Sequence, residues 1–179
     1  MKPSKLLKSA LICAFLFTAA GCHSKSAPTS QNFIQGLNKH FLDHPDCLFN
    51  NMRFPYSTSD PKETAQMDSL VKSQLLDKTV EMSIHVSRYT VSKTGTRYAP
   101  RFCYGHRVAD TIDRFTTPVV ANGFNETQVT YRYSMQEVPV WARSPDVLKS
   151  FPAMAQVVSG EATGVATLAQ TPVGWQVPD

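Results

Sequence analysis

Two histidines, His40 and His44, stand four residues apart, with Asp43 between them and Cys47 just beyond. On a helix this spacing puts both imidazoles on one face, where they can hold a metal ion. No glutamate lies between them to serve as a base, and no third histidine is placed by local spacing. The ordinary reading of the pair is a solvated helix surface. A second set is His106, Asp110 and Cys103. A thiolate of low pKa beside an imidazole would suit an envelope hydrolase. Asp110 and Asp113 would point to opposite faces of a strand, so they do not read as paired carboxylates. His85 and His106 are expected on strands, facing solvent. The chain has no Gly-x-Ser-x-Gly elbow, no phosphate-cradling loop among its 8 glycines and no Cys-x-x-Cys pair. No cofactor is expected, and no catalytic set converges.

Aromatic and basic side chains supply the binding candidates. Tyr131, Tyr133, Trp141 and Trp175 fall in the C-terminal half, and Tyr89, Tyr98 and Tyr104 nearer the middle. Such residues are first of all core with polar tips. Those that line a groove instead would suit a peptide, a glycan or another protein. Lys93, Arg97 and Arg101 add an exposed basic run that could meet a partner.

The elements that must position these groups follow from periodicity. Phe33, Ile34, Leu37 and Phe41 recur at helical spacing and predict a helix over 32–43, which Pro45 ends. The stretch 47–59 has no period and reads as a loop. Asp60-Pro61-Lys62-Glu63 is a helix start: an N-cap, a proline at the first position and a glutamate to complete a capping box. Met67, Leu70, Val71 and Leu75 extend that helix to about 76. From 79 the period becomes two, with Val80, Met82, Ile84 and Val86 on one side, which predicts a half-buried strand. A hairpin is expected around Lys93-Thr94-Gly95, with Gly95 supplying a positive φ. Strands are read over 101–116, 127–138, 161–170 and 175–177. A short helix begins at Ser144-Pro145-Asp146 and is interrupted by Pro152.

The first 22 residues have a basic start and an apolar run from Ala10 to Ala20, too short for a mature membrane span and suited to a signal core. Ala19-Ala20-Gly21-Cys22 resembles the lipobox of bacterial lipoproteins, with Ala19 where that family usually carries Leu. The resemblance implies cleavage before Cys22, acylation of that residue, and stable anchoring by several chains. His23, standing where an Asp would retain the protein at the inner membrane, implies the outer membrane, facing the periplasm. Cys13 would leave with the signal and Cys22 would take lipid. Cys47 and Cys103 then remain as a pair in an oxidising compartment, where a disulfide is the natural reading and a free or catalytic thiol the alternative. The whole chain carries +4. Without Lys2, Lys5 and Lys8, 15 Lys and Arg stand against 14 Asp and Glu, so bulk charge gives no argument for nucleic acid.

The stretch QMDSLVKSQLL, a strand, then RYTVSKTGTRY resembles the helix-and-wing half of bacterial winged-helix regulators, on Tyr89, Val91, Ser92 and Gly95. Only two helices precede the hairpin. The second balances Lys62, Lys72 and Lys78 against Glu63, Asp68 and Asp77, a poor surface for a phosphate backbone. The expected architecture is α+β: two N-terminal helices and a β-hairpin packed with a small antiparallel sheet, tied by the disulfide. Residues 1–21 are read as signal, 22–32 as lipidated cysteine and tether, and 33–179 as one domain, with a sub-division near 100. The expected role is a membrane-anchored binding module for a protein or envelope ligand. A hydrolase using the His, Asp and Cys residues is the alternative, and a DNA-binding protein a remote one.

Overall fold

Among the described residues, two antiparallel sheets, each with its own hydrophobic core, share four helices between them. The computed structural model describes residues 24–160 and 162–178, so Cys22 and the lipobox lie outside the described residues. In chain order the elements are α1 (Ser30–Asp43), β1 (Tyr56–Thr58), α2 (Pro61–Lys72), β2 (Leu76–Glu81), β3 (Val86–Val91), β4 (His106–Phe115), β5 (Val119–Ala121), β6 (Phe124–Gln136), α3 (Pro145–Ser150), α4 (Pro152–Val158), β7 (Ala162–Thr171) and β8 (Gly174–Gln176). The expectation of mixed α and β with a Cys47–Cys103 disulfide is met. The finer arrangement differs. Two of the helices fall late, between β6 and β7, and there are two sheets, ordered β1-β3-β2 and β4-β6-β7-β8 with β5 added on β6.

The packing crosses residue 100 in both directions. Met67, Leu70, Leu75, Leu76, Tyr89 and Phe102 form the first core, and Trp141, Val147 and Met154 join it from the C-terminal half. The second core sets Phe33, Leu37 and Phe41 of α1 against Ala109, Val129, Tyr131, Tyr133, Leu168 and Trp175 of the larger sheet. The alternation of Val129, Tyr131, Tyr133 and Met135 predicts one inward face on β6; the first three are buried there, Met135 is half-buried, and Thr127 joins them. Gly36 lets α1 lie on β8, since a Cβ there would come within 2.2 Å of the Trp175 carbonyl oxygen.

Helix α2 starts as expected: the Glu63 N–H donates to Asp60 Oδ1 at 2.8 Å. The reciprocal half of the capping box does not form. Glu63 Oε2 instead accepts from the hydroxyls of Tyr56 (2.6 Å) and Thr58 (2.7 Å), tying β1 to the helix. The Thr58 bond, then the Tyr56 bond, hold the Glu63 carboxyl below its ordinary pKa. Tyr89 on β3 donates to Asp68 at 2.8 Å, and Lys78 Nζ meets the same carboxylate at 2.8 Å. Burial first, and that bond second, raise the Tyr89 pKa.

The central hairpin sits elsewhere than expected. β2 pairs with β3 from Leu76↔Val91 to Glu81↔Val86, so the turn is Met82–His85. Val80, Met82 and Ile84 are 49%, 75% and 63% exposed; their alternation marks a hairpin tip rather than a core face. No strand returns after Lys93-Thr94-Gly95. Gly95 opens a 3₁₀ turn to Arg97. What it provides is close approach rather than a positive φ: a Cβ there would lie 2.0 Å from the Leu75 carbonyl oxygen. Ser92 fixes the bend, donating to the Gln74 carbonyl (2.6 Å) and accepting from the Gly95 N–H (2.9 Å).

Candidate functional site: a basic groove on the first core

The structure separates most of the residues singled out above. His40 and His44 stack at 4.2 Å between ring centroids, and His44 Nδ1 lies 2.9 Å from the His40 carbonyl. No group of three or more metal-ligating side chains converges among the described residues. Cys103 is bonded to Cys47 at 2.06 Å, so the free thiol that would have favoured the hydrolase reading is absent. His106 Nδ1 sits 3.6 Å from Glu137 Oε2, and Asp110 is an exposed residue on β4. Tyr131, Tyr133 and Trp175 are buried in the second core. Lys93 and Arg101 are exposed. Arg97 and Tyr98 come together with Trp141, more than forty residues further along the chain.

They meet in an open groove of about 900 Å³. One wall is the end of α2 and the following turn, Lys72 to Leu75. The second wall is the turn carrying Thr94, Arg97 and Tyr98, and the third is Val138 to Pro145. A 3₁₀ turn, Val140–Arg143, shapes this third segment between Pro139 and the Ser144-Pro145 start of α3. With three residues per turn, Val140 and Arg143 share a side while Trp141 turns inward. Val140 is 89% exposed and Trp141 only 7%. The Trp141 and Tyr98 rings pack edge to face at 5.8 Å, and the Arg97 guanidinium lies 5.6 Å from the Tyr98 ring centre.

The lining carries Lys72, Arg97 and Arg143 and no acidic residue. Lys72 reaches Asp146 at 3.1 Å; Arg97 and Arg143 have no carboxylate within 4.0 Å among the described residues. Two buried polar atoms in the described part of the chain lack a hydrogen-bond partner, Trp141 Nε1 and Ser73 Oγ, and both belong to residues lining this groove. An unpaired buried donor costs about 1–3 kcal/mol. Both atoms are covered in this conformation, so a ligand would recover that cost only by parting the side chains over them; Arg97 and Arg143, exposed and without a carboxylate partner among the described residues, give the groove its positive charge. The residues lining the groove include the hydroxyls of Ser73, Thr94 and Ser144 and no histidine or carboxylate.

No family model, curated protein or solved structure matches this chain.

A second polar cluster lies at the junction of the cores and was not foreseen. Arg107 forks onto Asp46 (Nε to Oδ2 3.0 Å, Nη2 to Oδ1 2.8 Å), with its guanidinium 5.1 Å from the Tyr133 ring centre and 6.0 Å from that of Phe41. Burial alone would lower the Arg107 pKa; its bonds to Asp46 outweigh that and raise it. Burial also raises the pKa of Tyr104 and Tyr131, so both stay neutral phenols. Asp46 and Arg107 flank the disulfide and brace the same junction. With the carboxylate fully engaged by the guanidinium, this cluster is a tie rather than a reactive centre. Sixty-one residues separate the partners, and no local pattern links them.

Proposed function

We propose that this protein is a non-enzymatic binding module, anchored through a lipidated Cys22 to the periplasmic face of a bacterial outer membrane. Its basic groove takes an anionic segment of another envelope protein or ligand, which it assists or antagonises. The observation that carries the reading is the combination in one groove of Arg97 and Arg143, neither with a carboxylate partner among the described residues, two aromatic rings and the two unpartnered side-chain atoms. The lipobox resemblance supports the anchor, and the Cys47–Cys103 disulfide suits an oxidising compartment. Nucleic acid is not the proposed ligand. The mature chain is nearly neutral, and Lys72 and Lys78 around α2 are committed to Asp146 and Asp68.

A photo-cross-linking residue at Val140, on the rim of the groove, tests this in intact envelopes. The expected result is a discrete adduct that disappears in an Arg97→Glu, Arg143→Glu variant with unchanged thermal stability. An adduct indifferent to that charge reversal would refute the groove. Failure of radiolabelled palmitate to enter the wild-type chain, with Cys22→Ser no different, would refute the anchor.

A further inference from the structure

We infer that one end of the larger sheet rests in the lipid bilayer beside the anchor, with Val119, Val120, Phe124 and Val173 as the contacting side chains. This rests on the lipidation of Cys22 proposed above. β5 and β6 form a hairpin that turns at Asn122-Gly123, with φ of 50° and 81°. Its last pairs are Val119↔Glu126, Val120↔Asn125 and Ala121↔Phe124. Side chains alternate across a strand, so Val119 and Phe124 emerge on one face and Val120 on the other. They are 62%, 48% and 80% exposed. An antiparallel ribbon standing in water ordinarily has at least one polar face. This tip shows apolar side chains on both, beyond the reach of the core beneath α1.

The chain that leads back to Cys22 is fastened at this same end. Gln170 Nε2 donates to the Ser26 carbonyl at 2.9 Å, while its Oε1 accepts from Asn125 Nδ2 at 2.7 Å. One amide thus holds Ser26 and the residue opposite Val120 together. Trp175 Nε1 also donates to the Ser26 carbonyl at 3.1 Å. Lys25 adjoins Gly174: a Cβ on that glycine would lie 3.4 Å from the Lys25 carbonyl oxygen. The β7–β8 turn, with Val173 66% exposed, therefore stands beside the departing chain. Four residues separate Ser26 from Cys22, a reach of at most about 14 Å. Acyl chains on Cys22 would hold this end against the membrane, where apolar tips and a flanking Lys25 suit the boundary between headgroups and acyl chains. Glu126, bonded to Asn122 at 3.0 Å, and Lys25 are the charged residues that these contacts place at this end.

The test uses the full lipidated chain carrying Val120→Cys, labelled with the environment-sensitive dye NBD and reconstituted into phosphatidylethanolamine/phosphatidylglycerol vesicles. A Val140→Cys label on the groove is the comparator. At position 120 the emission should shift to the blue and be quenched severalfold more by lipid-borne nitroxide than at 140. If palmitate is incorporated but the label at 120 stays as exposed as that at 140, the membrane-facing end is wrong and the anchor stands. Absence of palmitate removes the anchor and this inference with it. Protection at 120 in native envelopes but not in pure lipid would overturn the inference by making the occupant a protein.

Discussion

Replacing both Cys47 and Cys103 by alanine should cost close to the full loop entropy of the cross-link, because the native junction is held by other bonds as well. Four backbone pairs frame the disulfide: Asp46 N–H to Gly105 O at 2.9 Å, Tyr104 N–H to Asp46 O at 2.8 Å, Leu48 N–H to Phe102 O at 3.1 Å and Phe49 N–H to Arg101 O at 3.0 Å. The Asp46–Arg107 fork adds to them. The variant should therefore fold to the same structure, and the loss falls on the unfolded chain. For the sequence separation of 56, the chain-entropy relation gives about 14 cal/mol/K, or roughly 4 kcal/mol at 25 °C. For a chain of this size that lowers Tm by about 8–16 °C. Urea unfolding followed by circular dichroism should also show a larger m-value for the variant, since its unfolded state is no longer held in a loop and exposes more surface. Dithiothreitol should lower the wild-type midpoint toward that of the variant and leave the variant unmoved. A loss below about 1 kcal/mol, or an unchanged m-value, would refute the unfolded-state account.

Three further outcomes follow from single residues. Gly36→Ala gains about 1 kcal/mol of helix propensity but drives a methyl into the Trp175 carbonyl; overpacking of about 1–3 kcal/mol should win, and a rise in stability on urea titration would contradict the α1–β8 contact. Glu63 has a lowered pKa in the folded state, so its stabilisation is present above the unfolded glutamate value of about 4.3 and is lost as pH falls through the folded value. The stability gap between wild type and Glu63→Gln should accordingly be level from neutral pH to about 5.5 and close below about 4; a gap that stays constant to pH 3 would remove the Tyr56–Glu63–Thr58 tie. Ser73→Ala deletes an unpartnered buried hydroxyl and should leave stability unchanged or raise it by about 1 kcal/mol while weakening the adduct at Val140; a clear destabilisation would mean that the hydroxyl is paired within the folded chain.

What could be read in the sequence is what depends on local rules. Helix α1 came from Phe33, Leu37 and Phe41 at helical spacing, the start of α2 from Asp60-Pro61, and the facing of β6 from alternation of Val129, Tyr131 and Tyr133. Local rules also misled where an apolar residue was not a core residue. Val80, Met82 and Ile84 alternate as a strand should, yet a hairpin tip carries them into solvent, and the period alone cannot tell the two apart. The Asn122-Gly123 turn was legible as the dipeptide that most favours a two-residue hairpin, and it went unread. β1, three residues long, is held by pairing with β3, which no short window of sequence contains, and by Glu63, a nearby contact that no periodicity marks. The groove fails to announce itself for the same reason on a larger scale. Lys72, Arg97 and Arg143 come from three segments brought together by the first core. From Cys22 onward 15 Lys and Arg stand against 14 Asp and Glu, so composition dilutes a local excess that folding creates. The decisive feature, an indole N–H and a hydroxyl buried without partners, exists only once the core has closed around them. A groove marked by unsatisfied groups is a property of packing, and sequence patterns report on packing only where one element makes it alone.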